Sequence, residues 1–284
     1  MIRSAYEHTV DVKDLYEAIA RGEDILQHMP DHLAEQLGKS NKVAIAEIAD
    51  RDSIAAVVKI AREGKVGEVL PVADAVPPLY GDLNKAFDEV FWLKQKVAGY
   101  DCRVYDLIFL EASDLYNTLV ARYKNYIIKR YGFYTPCLTC HLYFHTARVP
   151  IVKALGGTKI IGGERKSHDG RIKASQIPVA VEYYTKAVRA LGGELILPLW
   201  EVENTKDIIK MTYADNPHLS CMFKETFGNL SETIAKDELV VKKFFQEFAV
   251  PLDLRLINAM TSKENVDLIK VADEFVKELQ GESK

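Results

Sequence analysis

Short apolar runs alternate with longer stretches of helical spacing along most of the chain. The run "VAIAEIA" at residues 43–49 is a buried strand by its length and β-branched content. After "DRDS" the apolar positions recur at helical spacing, giving a helix from about Ser53 to Glu63. "EVLPVADAV" at 68–76 predicts a second strand, with Gly81 and Asp82 in the loop that follows it. Next come the helix "LNKAFDEVFWLKQKVAGY", a third strand "VYDLIFLEA" at 104–112 and a helix over about 116–131. A further helix runs from Cys137 to about Leu155 and stops at Gly156-Gly157. "TKIIGGE" and "GGELILPLWEV" predict the fourth and fifth strands, followed by helices over about 176–191 and 204–213. Residues 5–38 have helical spacing broken at Pro30, and the part from "NPHLSCMF" onward predicts a loop and amphipathic helices.

Strands alternating with helices predict an α/β fold, with a parallel sheet of about five strands covered on both faces. The expected division is a helical extension over 1–40, a nucleotide-binding α/β domain over 41–222 and a C-terminal helical extension over 223–284. There is no internal repeat and no low-complexity linker.

With 284 residues, 48% of them hydrophobic and 27% charged, the chain has the profile of a soluble globular protein. No apolar run reaches the roughly 18 residues that span a membrane. The beginning, "MIRSAYEHTVDVKDLYEAI", is too polar and acidic for a signal peptide, so a cytoplasmic protein is expected. The net charge of −4 excludes a global nucleic-acid signature. "YKNYIIKRYGFYT" at 123–135 mixes cations with aromatics and could stack on RNA, although tyrosines at helical spacing are more often core.

In parallel sheets ligands bind beyond the carboxyl ends of the strands. The polar candidates fall there: residues 48–53, Asp74, Glu111 and 162–173. A helix N-terminus attracts phosphate through its free amides. Ser53 can add a hydroxyl, and Asp52 can cap the helix or hold magnesium.

"IADRDSIAAV" resembles the pyrophosphate loop of the PP-loop ATP pyrophosphatase superfamily, the adenine-nucleotide alpha hydrolases. That loop reads Ser-Gly-Gly-x-Asp-Ser. Asp52 and Ser53 match its last two positions, while Ile48, Ala49 and Asp50 replace the serine and both glycines. The resemblance covers about residues 42–221. It implies a Rossmann-like, HUP-type sheet that binds ATP and Mg2+. Ala49, Asp50, Arg51, Asp52, Ser53, Asp74, Gly162, Gly163, Arg165 and Lys166 become the candidate nucleotide contacts, with Arg51 offsetting the charge of Asp50.

In "GGERKSHDGRIKASQ" at 162–176 the glycines allow close backbone approach, and Arg165, Lys166, Arg171 and Lys173 form a cationic cluster around His168 and Asp169. The superfamily places a glycine-histidine segment here, near the triphosphate. A solvated loop is the plain alternative.

Four cysteines are present: Cys102, Cys137, Cys140 and Cys221. Cys137 and Cys140, at i and i+3 on a helix start, share one face, and the helix N-terminus favours their thiolates. A similar plan, a CxxC after the third strand and one distant cysteine, holds a four-iron cluster in several PP-loop tRNA thiolases. By that resemblance Cys137, Cys140 and Cys221 are ligands of a [4Fe-4S] cluster whose open iron carries sulfide. Zinc with His141 or His145, a persulfide relay, and plain core packing remain alternatives. His141 and His145 have the i,i+4 spacing of a metal pair but sit on an aromatic-rich helix, where histidines are more often simply packed. Arg148 can reach a phosphate or favour its helix end, and Cys102 reads as structural.

The expected activity is ATP-dependent adenylation with release of pyrophosphate, activating a nucleobase or small metabolite for sulfur insertion. Asp52, Cys137, Cys140 and Cys221 are the candidate catalytic residues. The alternatives are a non-catalytic nucleotide-binding protein and a zinc-containing ATP-dependent ligase or amidase. The expected partners are ATP and a tRNA or small molecule, without a membrane. A homodimer is the oligomer considered.

Overall fold

A computed structural model of the chain describes residues 5–38, 40, 42–212, 219–223 and 237–281. Its centre is a parallel sheet of seven strands rather than about five. The sheet strands are β1 (Thr9–Asp11), β2 (Ala44–Glu47), β3 (Glu68–Asp74), β5 (Arg103–Val104), β6 (Ile108–Glu111), β7 (Lys159–Ile161) and β8 (Glu194–Ile196). The order is β1-β6-β3-β2-β7-β8, with β5 also beside β3, and every pairing is parallel.

Two features raise the strand count. The third expected strand is split into β5 and β6 near Asp106, whose carboxylate bonds Lys94 at 2.5 Å and Gln36 at 3.4 Å. The second is β1, which lies within the stretch of helical spacing. Thr9–Asp11 pairs with β6, and Asp11 then caps the helix that follows by accepting from the Lys13 amide at 2.7 Å. Three residues are too few to show a period of two.

The helices of the first half are α1 (Val12–Arg21), α2 (Asp31–Leu37), α3 (Arg51–Arg62), α4 (Lys85–Val97), α5 (Ser113–Val120) and α6 (Lys124–Tyr131). Those of the second half are α7 (Pro136–Thr146), α8 (Val149–Ala154), α9 (Pro178–Ala190), α10 (Thr205–Met211), α11 (Glu238–Phe244), α12 (Val250–Ser262) and α13 (Leu268–Gln280). A single π turn, Phe245–Ala249, joins α11 to α12. The expected helix over 116–131 divides into α5 and α6, where the amides of Ala121 and Arg122 both turn back to the Asn117 carbonyl. The expected helix from Cys137 to Leu155 divides into α7 and α8, because Pro150 has no amide to bond the preceding turn.

The sheet separates two apolar layers. Ile45 of β2 faces one; Ala44 and Ala46 face the other, the period of two expected of a strand. Helices α3, α4 and α10 cover the second layer. The first is larger, and Leu15 and Tyr16 of α1 share it with Leu256 of α12 and Phe275 of α13. Among the described residues no helix is long and apolar enough to cross a membrane.

Strand order reverses between β2 and β7, so the crevice at their carboxyl ends is the switch point. The loop after β2 and the loop beginning at Gly162 both open there. A second, antiparallel pair forms from β4 (Leu79–Gly81) and β9 (Leu219–Cys221), where a loop is expected from the sequence. Residues 213–218, which hold the start of "NPHLSC", lie outside the described residues.

Candidate functional site

At the switch point, the first turn of α3 is already occupied. Asp50 is its N-cap, accepting from the amides of Asp52 at 3.0 Å and Ser53 at 3.4 Å. The Ser53 hydroxyl completes a capping box, accepting from the Ala49 and Asp50 amides at 3.1 and 3.2 Å. The amides that would receive a phosphate therefore hold a carboxylate of the chain itself, and the cap is Asp50 rather than Asp52. Asp50→Gly should cost only a few tenths of a kcal/mol, since glycine is a tolerated cap, whereas Asp50→Ala should cost about 0.5–2 kcal/mol. If the loop is a latent anion site, Asp50→Gly will also gain thermal protection from pyrophosphate that the parent chain lacks.

Of the cationic cluster Arg165 alone is buried, while Lys166 and Arg171 are exposed and Lys173 is half-buried. Arg165 is 2% exposed and donates to Asp52 Oδ2 at 3.1 Å, to the Glu203 carbonyl at 3.1 Å and to Thr205 Oγ1 at 3.4 Å. Lys166 is on the surface, 3.3 Å from Glu201. Asp169 accepts from the Thr205 amide and hydroxyl at 2.9 and 2.5 Å. Gly163 lies directly on the backbone of α3: a Cβ there would stand 2.8 Å from the Ser53 nitrogen. Burial and the neighbouring Asp50 carboxylate raise Asp52 to about 6, against the pull of Arg165 and Lys173.

Burial, with Lys173 and Arg165 nearby, depresses His168 to about 4, while Gln176 and Asp50 pull the other way. The unfolded chain protonates this side chain near 6.5, so acidification from about 6.5 to 4 favours unfolding. His168→Gln should flatten that part of the stability-against-pH curve. Nuclear magnetic resonance should show the His168 ring neutral down to about pH 4.

The thiols do converge. Cys137 and Cys140 come from the first turns of α7, and the pairing of Leu79 with Cys221 brings β9 to the loop after β3. The buried Tyr116 hydroxyl donates to Cys140 Sγ at 3.2 Å. Burial, reinforced by Cys140, Cys221 and Cys137, pushes the Tyr116 hydroxyl far above its ordinary value. The expected thiolate does not hold at Cys140, because burial pushes its thiol well up and Cys221, Cys137 and Asp74 add to the effect. Cys137 and Cys221 are partly exposed. Cys102 is partly exposed as well, and burial raises it to about 11.

Beside the thiols runs a buried polar row that ends three strands. Glu47 closes β2, Asp74 closes β3 and Glu164 follows β7. His145 is fully buried, its Nδ1 2.7 Å from Glu47 Oε1. Its Nε2 lies 3.2 Å from Glu164 Oε1 without the alignment of a hydrogen bond. His141 Nδ1 is 3.0 Å from the same Glu164 oxygen. Burial opposes charge on His145, but Glu47 and Glu164 outweigh it and raise the imidazole to about 10. Arg148, 1% exposed, bonds Asp74 and the Phe144 carbonyl and stands 3.9 Å from Glu47. Burial lifts Asp74 to about 6 in spite of Arg148. Asp74 and Arg148 are thus tied to each other.

Glu47, Glu164 and Tyr116 were not among the residues singled out from sequence. A carboxylate ending the otherwise apolar run "VAIAEIA" was the available signal for Glu47. Glu111 is placed elsewhere: it accepts from the Ser113 amide at 3.3 Å and lines a cavity of about 780 Å³ at the β1–β6 edge. Asp11, Glu17, Asp114 and Asp267 also line that cavity, together with Lys13, Arg122 and Lys263, so its lining mixes both signs with an excess of acid.

No protein-family model matches the chain. It is 30% identical over 255 residues to a protein of Methanocaldococcus jannaschii described as uncharacterized protein MJ0009, and the match covers 87% of this chain and 90% of that one.

Proposed function

The chain belongs to the family of that Methanocaldococcus jannaschii protein, and we propose that it is a sulfur-transferring enzyme of PP-loop ancestry, built around Cys137, Cys140 and Cys221. The observation that supports this is the convergence of three thiols, one of them from a distant strand, around the Tyr116 hydroxyl at the carboxyl edge of a parallel sheet. Cys137, Cys140 and Cys221 would hold a four-iron cluster, which supplies an open iron for sulfide when bound. The donor set suits such a group. The three thiols lie near enough to act on one another, and an all-thiolate donor set is the one an iron–sulfur cluster takes.

The chain's own groups have definable work in this reading. Tyr116 donates to Cys140 Sγ and fixes its orientation. The apolar surroundings of Cys140 keep water from one side of the trio. The partly exposed Cys137 and Cys221 give the substrate its approach. The substrate is a nucleobase or small metabolite, activated by adenylation with ATP and Mg2+ at the switch-point loop. For that, the Asp50 carboxylate has to leave the α3 amides; Asp50 and Asp52 would then be the residues to hold Mg2+, which would supply charge to offset the phosphates.

Anaerobic purification tests the reading. Brown protein with iron and acid-labile sulfide in equal amounts, both lost in Cys137→Ser and Cys221→Ser, together with substrate-dependent release of pyrophosphate, is the expected result. Colourless, iron-free protein that releases no pyrophosphate defeats it. A second reading, a relative that binds nucleotides without turnover, draws on the occupied cap at Asp50. Cluster content without pyrophosphate release, alongside calorimetric nucleotide binding, would favour it.

A further inference from the structure

We propose that His141, His145 and Glu164 form a second metal centre, separate from the thiols, that takes one divalent first-row ion with zinc as the expected occupant. Their donor atoms lie within 4.8 Å of one another. The separations of 3.0 and 3.2 Å between Glu164 Oε1 and the two imidazole nitrogens are close to the edge of a coordination tetrahedron. Metal–nitrogen and metal–oxygen bonds of about 2.0–2.1 Å at tetrahedral angles give edges of about 3.3 Å.

Two buried atoms of this group make no aligned hydrogen bond: His145 Nε2, which only faces Glu164 Oε1 at 3.2 Å, and Glu164 Oε2. Orphaned donors and acceptors of this kind are costly in a protein interior. Here the two lie in one cluster, and both belong to side chains almost wholly removed from water. An ion between the imidazoles and the carboxylate would satisfy His145 Nε2, and binding through both carboxylate oxygens would satisfy Glu164 Oε2 as well.

The surroundings are arranged for an ion. Glu47 Oε1, 2.7 Å from His145 Nδ1, would hold the remaining proton on Nδ1 once an ion replaces the one on Nε2, the carboxylate–histidine–metal arrangement of zinc proteins. Gly162 makes room for Glu164 to fold back toward α7. A Cβ on Gly162 would collide with Glu164 Oε2 and would lie 3.2 Å from His145 Cε1. Charge agrees as well. Arg148 is matched by Asp74, and a dication that displaces the proton of His145 would take over from it the balance of the two buried carboxylates, Glu47 and Glu164. His141 is partly exposed, so water reaches this side of the group and would be available as a further ligand, as in catalytic sites. Three thiols beside an open metal position would place a Lewis acid next to the proposed sulfur chemistry, although the centre itself does not depend on that function.

The experiment is titration of the chelator-treated full chain with Co2+, without oxygen. We expect one equivalent with visible ligand-field bands and no thiolate charge-transfer absorption. It should be lost in His141→Ala and in Glu164→Gln and kept in Cys137→Ser. Glu47→Gln should weaken cobalt binding by about 10–100-fold. The proposal is overturned if both ligand variants keep the parent's cobalt complement, or if every bound cobalt carries thiolate absorption. His141→Ala changes a partly exposed side chain and decides the matter should Glu164→Gln fail to fold. Iron and sulfide content follow the cysteine variants alone, so failure here is distinct from failure of the cluster.

Discussion

Arg148→Met will destabilise the chain by about 3–5 kcal/mol, the cost of leaving a buried charge without its partner. Arg148 is 1% exposed and is held by Asp74 and the Phe144 carbonyl between α7 and α8. Its removal strands Asp74, which burial already lifts to about 6 with the guanidinium in place. A carboxyl whose folded pKa lies above its unfolded value of about 3.9 loses stability as pH rises through that interval. The deficit of Arg148→Met should therefore be larger at pH 8 than at pH 5. Asp74→Asn combined with Arg148→Met should recover much of the loss, because the uncompensated charge is then gone. Urea midpoints of the two single variants and the double variant measure the coupling. A loss below about 1 kcal/mol in Arg148→Met, with no dependence on pH, would show that the guanidinium is not carrying the charge balance of this row.

Gly163→Ala is the second large effect. Its Cβ would stand 2.8 Å from the Ser53 nitrogen, 2.9 Å from the Asp52 carbonyl carbon and 3.0 Å from the Ser53 Cα. All three atoms are backbone in the first turn of α3, which cannot rotate out of the way. Overpacking of this kind costs about 1–3 kcal/mol. Because Glu164 and Arg165 follow directly, the loop should also shift enough to break the Arg165–Asp52 pair. Thermal melting, with a cobalt titration in parallel, reads both consequences. A variant as stable as the parent would mean that the loop after β7 lifts from α3 at little cost.

The parallel sheet was legible because its inner strands are covered on both faces and read as apolar runs. β1 was not, since its three residues carry no period, and β9 owes its form to β4 rather than to its own composition. At the site, the meeting of Cys221 with the CxxC was expected only through the resemblance to the PP-loop thiolases, because nothing in the spacing of the cysteines requires it. The helix start was misplaced by two residues: two aspartates flank Arg51, and only the backbone decides which of them caps. The i,i+4 pair of His141 and His145 was visible, but its carboxylate was not. Glu164 sits among cations in a loop whose composition reads as solvated, and tertiary packing turns it inward.

Asp50 also sets a threshold for whatever the switch-point loop is meant to bind. A carboxylate tethered one residue before α3 acts on the helix amides as an intramolecular competitor. Even loose tethers produce effective concentrations on the order of millimolar, and this one is already seated on the Asp52 and Ser53 amides. An incoming anion gains little by matching it and must bring something more, such as extra charge, a cation, or contacts beyond the loop. Weak or adventitious phosphates are thereby screened out, and a ligand that does bind will have displaced an internal rival.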